Sequence, residues 1–156
     1  MNYLIRKITE KDIPQVVELS GLLADHHHVI DKFWKAGDKT KKSFREFLKV
    51  EIKKSNTLWL VAEVDKKIVG YFSAEITVPK PVIAVKEIGH ISSAFVIAEF
   101  RGKGISKMAI QNFFEWFKEN GVKVVEITVD SRNVEGVRAW EGLGFKEYMK
   151  KMKLDL

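Results

Sequence analysis

The sequence predicts a mixed α/β domain built on a largely antiparallel β-sheet with helices on both faces. Six segments carry the apolar pattern of strands, and four carry apolar residues at helical spacing. The short connector Asp65-Lys66-Lys67 lies between two strand-like segments as a tight hairpin turn, which makes those two strands antiparallel. A strand–helix–strand unit over residues 87–129 predicts one parallel pair joined by a right-handed crossover.

The first part of the chain predicts one strand and two helices. Alternation over residues 2–8 indicates the strand, and Thr9 with Asp12 resembles a capping pair that starts the first helix. Residues 25–40 have an irregular pattern, with a break at Gly37. The second helix covers about 42–54, where the apolar positions have helical spacing: Phe44, Phe47, Leu48 and Ile52.

The remaining elements alternate between strands and helices and complete the order β-α-α-β-β-β-α-β-α-β. Pro79 and Pro81 end one strand because proline cannot donate to a β-ladder. Asn120-Gly121 is typical of a helix C-terminus and ends the helix predicted at 103–119. The predicted ranges are strands at 58–64, 68–78 and 87–97, a helix at 103–119, a strand at 122–129, a helix at 133–143 and a last strand at 145–154.

Composition restricts the class of protein. The 156 residues are 46% hydrophobic and 31% charged, which is typical of a single globular domain over residues 1–156. The chain has no cysteine, no apolar run of about 18 residues and no apolar leader, so we expect a cytoplasmic protein without membrane contact. The net charge of +6 favours anionic ligands, but the basic residues are dispersed and no nucleic-acid-binding motif is present, so no nucleic acid is expected.

The turn from Phe100 to Ser106 has the residues of an anion-binding cradle. It lies between a strand and the start of a helix, whose first amides lack partners and carry partial positive charge. Gly102 and Gly104 allow the backbone close to a ligand, while Arg101 and Lys103 add charge. The expected ligand of this turn is a phosphate or pyrophosphate. An ordinary strand-to-helix turn is the alternative, and the pattern matches neither a dinucleotide-binding fingerprint nor a P-loop.

Two segments resemble the GNAT superfamily of N-acetyltransferases. Val96–Ser106 is similar to the family's acetyl-CoA signature Arg/Gln-x-x-Gly-x-Gly/Ala, in which Arg101 and Gly104 match and Ser106 replaces the last Gly/Ala. Asn133–Phe145 resembles a later block, an Asn followed by a helix and then Tyr-Glu-x-Leu-Gly-Phe. The resemblance implies a GNAT-like twisted sheet of six to seven strands. It also implies that the two central parallel strands splay apart and admit the cofactor.

The resemblance implies acetyl-CoA as the cofactor. Backbone amides from Gly102 to Ser106 would hold the pyrophosphate, and main-chain groups of the preceding strand would pair with the pantetheine arm. The Asn133 side chain would touch the cofactor. The implied cofactor-binding residues are Phe95, Val96, Ile97, Arg101, Gly102, Lys103, Gly104, Ile105, Ser106, Asn133 and Trp140.

The implied reaction is transfer of the acetyl group to a primary amine by direct attack in a ternary complex. The backbone N–H of Val96 would stabilise the oxyanion. The usual Tyr acid is replaced by Trp140, whose indole cannot give up a proton near neutral pH. The usual strand Glu is also missing, which leaves His90, Ser92 and Glu75 as catalytic candidates. A non-catalytic or regulatory acyl-CoA-binding domain is therefore the alternative function.

The region between the first two helices is expected to shape the acceptor pocket. Acidic and aromatic groups there would suit a cationic amine of a small molecule, a polyamine or a protein, and the candidates are Asp25, His28, Phe33 and Trp34. A solvated loop is the alternative. The run His26-His27-His28 does not predict a metal site, because adjacent helical residues point about 100° apart. Family members often dimerise, so a homodimer is a further expectation.

Overall fold

The computed structural model describes residues 2–156, which form one five-stranded sheet and four α-helices. The strands follow one another in space in the order β1-β2-β3-β4-β5, and only the β4–β5 pair is parallel. This confirms the mixed, largely antiparallel sheet. The elements are β1 (Leu4–Lys7), α1 (Ile13–Ile30), α2 (Lys41–Glu51), β2 (Thr57–Val64), β3 (Lys67–Thr77), β4 (Ile88–Val96), α3 (Ile105–Glu119), β5 (Val125–Ile127) and α4 (Val134–Gly142).

The β2–β3 hairpin has the tight turn that the sequence predicted. Asp65 and Lys66 both have positive φ, at 48° and 65°. Two central residues with positive φ give the turn the twist that matches the flanking strands. Val64 pairs with Lys67 immediately beyond the turn, so Lys67 belongs to β3 and not to the connector.

The sheet separates two hydrophobic layers, which we call the α1 face and the α3 face. Alternate residues of a strand point to opposite faces, so Trp59 and Val61 enter the α1 face while Leu60 and Ala62 enter the α3 face. Helices therefore cover both faces, as predicted. The α1 face buries Val16, Val17, Leu48, Ile68, Tyr71 and Phe95, and the α3 face buries Val69, Phe72, Ile91, Ile105, Ile110, Phe113 and Phe117.

Three predicted ranges are wrong. The segment 25–40 is not irregular throughout, because α1 continues to Ile30 before the chain turns at Asp31. The strand predicted at 122–129 is reduced to three residues of β5. No strand forms over 145–154 in the described chain, so the sheet has five strands and not six or seven. Residues 146–156 are all exposed, so this lysine-rich segment lacks the burial that would hold a strand.

None of the helices within residues 2–156 combines the length and the apolar character that a transmembrane span requires. The same part of the chain contains no group of three or more His, Asp or Glu side chains that could hold a metal ion. The three consecutive histidines lie on α1.

The contact between α1 and the α1–α2 loop (residues 31–40) depends on Gly37. A Cβ at Gly37 would lie 2.1 Å from the Gly21 carbonyl oxygen, so the backbone would have to move. We expect Gly37→Ala to lower the free energy of unfolding by about 2 kcal/mol. Gly142→Ala is the control, because a Cβ there has nothing within 4 Å and alanine favours a helix. Urea unfolding of both variants tests this, and equal stabilities would contradict it.

Candidate active site

The parallel strands β4 and β5 stay together over only three residue pairs. Gly89, His90 and Ile91 pair with residues 125–127, whereas β4 continues to Val96 without a β5 partner. A β-bulge places Ser92 as an extra residue opposite β3 at the point where this pairing stops. The edge of β4 from 92 to 96 therefore faces a space between the two strands, which we call the gap.

Backbone directions at the end of β4 show which groups face the gap. The Ile97 N–H donates to the Val69 carbonyl at 3.0 Å, and the Ile97 carbonyl accepts from the Phe100 N–H at 3.0 Å. Alternate strand residues direct their N–H and C=O groups to opposite edges, so the N–H and C=O of Val96 face the gap. Ile97 is thus engaged within the chain, and Val96 presents its N–H to the space beside β4.

The turn after β4 forms a concave site at the start of α3. Gly102 and Gly104 have φ values of 72° and 81°, a region that residues with a Cβ rarely adopt. The first hydrogen bond of α3 runs from the Met108 N–H to the Gly104 carbonyl, so the amides of residues 105–107 have no partner within the helix. A cavity of about 260 Å³ lies here, lined by Val96, Phe100, Arg101, Gly102, Gly104, Ile105, Ser106 and Lys107.

These residues fit a bound pyrophosphate. Helix-start amides, two glycines without a Cβ and the side chains of Arg101 and Lys107 supply donors and positive charge around one cavity. Because Val96 also lines this cavity, the cradle continues directly into the gap beside β4. A phosphate in the cradle would therefore place an attached flexible arm along the exposed strand edge.

The two cations of the turn are positioned by the turn itself. Arg101 donates from Nε to the Val96 carbonyl at 2.9 Å, and its guanidinium carbon lies 5.9 Å from the Phe95 ring centroid. Lys103 donates to the Glu99 carbonyl at 2.8 Å, and its Nζ lies 4.9 Å from the Phe100 ring centroid. These contacts hold the positive charges beside the cradle, and Arg101 also ties the turn to the end of β4.

A second cavity, of about 440 Å³, lies between α1 and the end of β4. It shares Arg101 with the cradle, so the two cavities are neighbours on either side of this side chain. Its apolar wall comes from α1, from β3, and from the end of β4 with the two residues that follow it. The lining residues are Leu19, Leu22, His26, Lys67, Ile68, Phe95, Ile97, Ala98, Glu99 and Arg101.

The structure brings the catalytic candidates on β3 and β4 together. Glu75 and His90 are cross-strand partners, and Ser92 Oγ lies 3.4 Å from Glu75 Oε1. On the other side, His90 pairs with Glu126 of β5, so a carboxylate lies on each neighbouring strand. We call Glu75, His90, Ser92 and Glu126 the polar row.

The polar row lies on the α1 face of the sheet. A Cβ at Gly89 would lie 2.6 Å from the Phe117 ring, and Ile91 is buried in the α3-face core. His90 lies between these two residues and therefore points to the opposite face. The row is thus on the same side as the α1–α2 loop, at the level where β4 and β5 separate.

The sequence did not single out Glu126, because its proximity to His90 arises from the parallel register of β4 and β5. The Tyr148 hydroxyl donates a hydrogen bond to the Glu126 carboxylate. This hydrogen bond to a negatively charged group raises the pKa of Tyr148 above its usual value. Tyr148 is therefore held in its protonated form beside the polar row.

Ser73 has an unsatisfied hydroxyl close to the polar row. Its Oγ is the one buried side-chain polar atom among residues 2–156 without a hydrogen-bond partner. Ser73 lies two positions before Glu75 on β3 and opposite Ser93 on β4. A buried hydroxyl without a partner costs about 1–3 kcal/mol, which a water molecule or a ligand atom would recover.

Trp140 and Asn133 have structural contacts within the α4 region. The Trp140 ring packs edge-to-face on Phe145, with 5.4 Å between centroids, and lies against the α3-face core. Asn133 Oδ1 accepts the Gly136 N–H at 3.1 Å and caps α4. Both predicted contacts with the cofactor remain predictions.

The residues predicted to line the acceptor pocket all lie at the end of α1 or in the α1–α2 loop. Two of them hold the loop in place, and the other two present aromatic surface. Asp25 Oδ1 accepts the Gly37 N–H at 2.7 Å, and His28 Nδ1 lies 2.6 Å from the Trp34 carbonyl oxygen. These two side chains hold the loop against the end of α1. Phe33 and Trp34 remain 70% and 49% exposed and pack edge-to-face, so they present aromatic surface at the loop.

A cluster of opposite charges joins this loop to the segment after β5. Arg132 Nη2 lies 2.8 Å from Asp31 Oδ2 and 2.7 Å from Asp130 Oδ2. The hydrogen bond from Arg132 lowers the pKa of Asp130 to about 2, and it also holds the pKa of Asp31 well below its usual range. The sequence did not predict the cluster, since Asp31 and Arg132 are 101 positions apart.

His27 lies next to the same cluster. Its ring is 5.2 Å from Trp34, centroid to centroid. Burial lowers the pKa of His27, and neighbouring His26 lowers it further, while the charge of Asp130 opposes both effects. The charge of Asp130, in the segment after β5, therefore acts on His27 at the end of α1.

A concave turn at a helix start, next to parallel strands that separate after three pairs, is the arrangement that the resemblance to the acetyltransferases implied. Residues 23–145 match the sequence profile of the acetyltransferase (GNAT) family, and the chain belongs to this family. The predicted resemblance is therefore confirmed. The domain is an N-acetyltransferase domain of the GNAT class.

Three known proteins illustrate this similarity. An uncharacterized N-acetyltransferase of Methanocaldococcus jannaschii is 30% identical over 145 residues, which are 93% of this chain and 61% of the relative. The crystal structure of a transcriptional regulator of Bacillus halodurans has a TM-score of 0.80 at 24% identity, covering 99% of this chain and 100% of the other. A predicted acetyltransferase of Clostridium acetobutylicum, crystallised with acetyl-CoA, has a TM-score of 0.78 at 17% identity, covering 99% and 96%. The structural likenesses show the fold, and the chain spans less than two thirds of the archaeal relative.

Proposed function

We propose that this protein transfers the acetyl group of acetyl-CoA to a primary amine by direct attack in a ternary complex. One observation carries the proposal: the exposed edge of β4 continues directly from the helix-start cradle, so one ligand with a phosphate group and an extended arm would use both. The polar row lies where the strand edge becomes exposed. The acceptor would be a small-molecule amine, a polyamine or a protein amino group.

The backbone around the cradle would bind the acyl donor. Amides from Gly102 to Ser106 donate to the pyrophosphate, with Arg101 and Lys103 supplying charge. When bound, acetyl-CoA supplies an activated thioester carbonyl. The N–H of Val96, which faces the gap, would donate to that carbonyl oxygen as negative charge develops. Phe95, Ile97, Ile105, Asn133 and Trp140 complete the proposed binding surface.

The polar row would take the proton from the amine. An ammonium must lose a proton before its nitrogen can attack, and His90 is a side chain suited to accept it. Glu75 and Glu126 are on the strands either side of His90, so negative charge there favours the approach of a cation. The Ser92 hydroxyl contacts the Glu75 carboxylate and can pass a proton on through a water molecule.

A thiol-release assay with a panel of amines tests the proposal. The panel comprises alkylamines, polyamines and lysine peptides, and we expect acetyl-CoA-dependent release of CoA with at least one of them. Binding of acetyl-CoA is measured separately by calorimetric titration. Binding without thiol release from any acceptor would instead support a non-catalytic or regulatory acyl-CoA-binding domain.

Replacing His90 tests the base. We expect His90→Gln to lower kcat on the order of 100-fold, because an intramolecular general base contributes roughly that factor. The KM for acetyl-CoA should stay unchanged, since His90 is not part of the cradle. The control is Glu87→Gln, an exposed position upstream of β4 and outside the polar row. An unchanged kcat in His90→Gln would remove His90 from the mechanism.

A further inference from the structure

The segment that follows α4 reaches back to the acceptor side of the molecule. Residues 146–156 contain no helix or strand and are exposed throughout. Two side chains nevertheless contact distant elements: Tyr148 bonds to Glu126 on β5, and Lys153 reaches Asp31 at the end of α1. The segment therefore crosses from α4, past the polar row, to the α1–α2 loop.

Lys153 makes two contacts that recognise an ammonium group. Its Nζ lies 3.3 Å from Asp31 Oδ2 and 4.8 Å from the centroid of the Phe33 ring. A carboxylate and an aromatic face are the two groups that attract an alkylammonium by charge pairing and by cation–π interaction. We call Asp31 and Phe33 the ammonium subsite.

The backbone sets the geometry of this subsite independently of Lys153. Asp31 Oδ1 accepts the Phe33 N–H at 3.0 Å, so the carboxylate and the aromatic residue are held together by a local turn. Arg132 fixes the other oxygen of Asp31 from the segment after β5. The subsite thus remains assembled when Lys153 leaves it.

Removal of Lys153 would change the net charge of the cluster around Asp31. The cluster contains two carboxylates, Asp31 and Asp130, and two cations, Arg132 and Lys153. Without Lys153, one guanidinium faces two carboxylates and the surface becomes negative. A free cation would then be attracted to the place that the Lys153 ammonium had occupied.

We propose that the ammonium subsite binds the acceptor amine, that the acceptor is a primary alkylammonium on an unbranched chain, such as a lysine side chain or a polyamine, and that Lys153 occupies the subsite in its place. This proposal rests on the proposed acetyltransferase function. It extends that function by naming the substrate class and an internal competitor.

The position of the subsite agrees with this role. Asp130 follows β5 by three positions, at the end of the strand where the gap opens. The subsite and the polar row both lie on the acceptor side, and Tyr148 of the same segment contacts the row.

Calorimetric titration with cadaverine and with Nα-acetyllysine amide tests the proposal without requiring turnover. Lys153→Gln should bind both amines about fivefold more tightly than the wild type, because one exposed ion pair and one cation–π contact no longer compete. Asp31→Asn should lose most of the affinity. Lys150→Gln is the control, since Lys150 lies on the same segment and contacts Glu147. It should bind like the wild type.

The outcomes separate this inference from the proposed function. Equal amine affinity in the wild type and Lys153→Gln, or no amine binding by either, would overturn the internal-competitor proposal. Acetyl-CoA titration and thiol release with the same samples report on the proposed function by themselves. Normal acetyl-CoA binding and turnover with no effect of Lys153→Gln would leave the acetyltransferase intact and eliminate only the internal competitor.

Discussion

Gly104→Val should weaken acetyl-CoA binding on the order of 100-fold or more. Gly104 has a φ of 81° and ends the turn immediately before α3. A β-branched residue in this conformation is strained by about 1–3 kcal/mol and would shift the helix-start amides away from the pyrophosphate. Its side chain would also project from the surface of the cradle. Calorimetric titration with acetyl-CoA measures the loss.

The control for this variant is Gly121→Val. Gly121 has a comparable φ of 74°, and a Cβ there would have nothing within 4 Å. It lies at the end of α3 remote from the cradle, so the variant carries the same backbone strain without touching the proposed site. Both variants should lose similar thermal stability, while only Gly104→Val should lose affinity. Acetyl-CoA binding that survives in Gly104→Val would eliminate the cradle as the pyrophosphate site.

Asp12→Ala should lower the free energy of unfolding by about 2 kcal/mol at neutral pH, because it removes one of the two carboxylates that bind Arg6, the other being Glu63. Asp12 is 5% exposed. It accepts hydrogen bonds at 2.8 Å from both terminal nitrogens of Arg6, and another at 2.7 Å from the Thr9 N–H. The variant therefore disconnects β1 from the start of α1. Glu10→Ala is the control, because its ion pair with Lys53 is exposed and contributes little.

The same carboxylate makes stability depend on pH. The hydrogen bonds from Arg6 are the main reason that the pKa of Asp12 falls from 3.8 to about 2. A lowered pKa in the folded state stabilises the protein above pH 3.8, here by about 2 kcal/mol, and the contribution disappears as the pH falls toward 2. Urea unfolding at pH 7 and at pH 2 should therefore show the difference between wild type and Asp12→Ala decreasing. A difference that stays constant would contradict this assignment.

Features within a few consecutive residues were predicted well. The hairpin at Asp65 and Lys66 follows from short-range turn chemistry, and the structure has positive φ at both positions. The turn before α3 was predicted from its two glycines and the following apolar period, and it forms a cavity lined by those residues. The ends of β2, β3 and β4 lie within one or two positions of the predicted ranges.

Predictions failed where an element depends on distant partners. The segment 145–154 was predicted as a last strand, but it pairs with no strand in the described chain, and all its residues after Phe145 are exposed. The segment 25–30 looked irregular because His26, His27 and His28 interrupt the apolar period. It is helical, however, with the Asp31 N–H bonded to the His27 carbonyl at its end.

The sequence by itself determined the family and predicted the cradle, because a strand end, two glycines and a helix start are consecutive and their geometry is local. The tertiary structure alone decided where β4 and β5 separate, which carboxylate lies beside His90, and how Lys153 reaches Asp31. Those contacts join residues as many as 122 positions apart, and they depend on sheet register and burial. Local periodicity does not encode them, because it reports only which face of its own helix or strand a residue occupies.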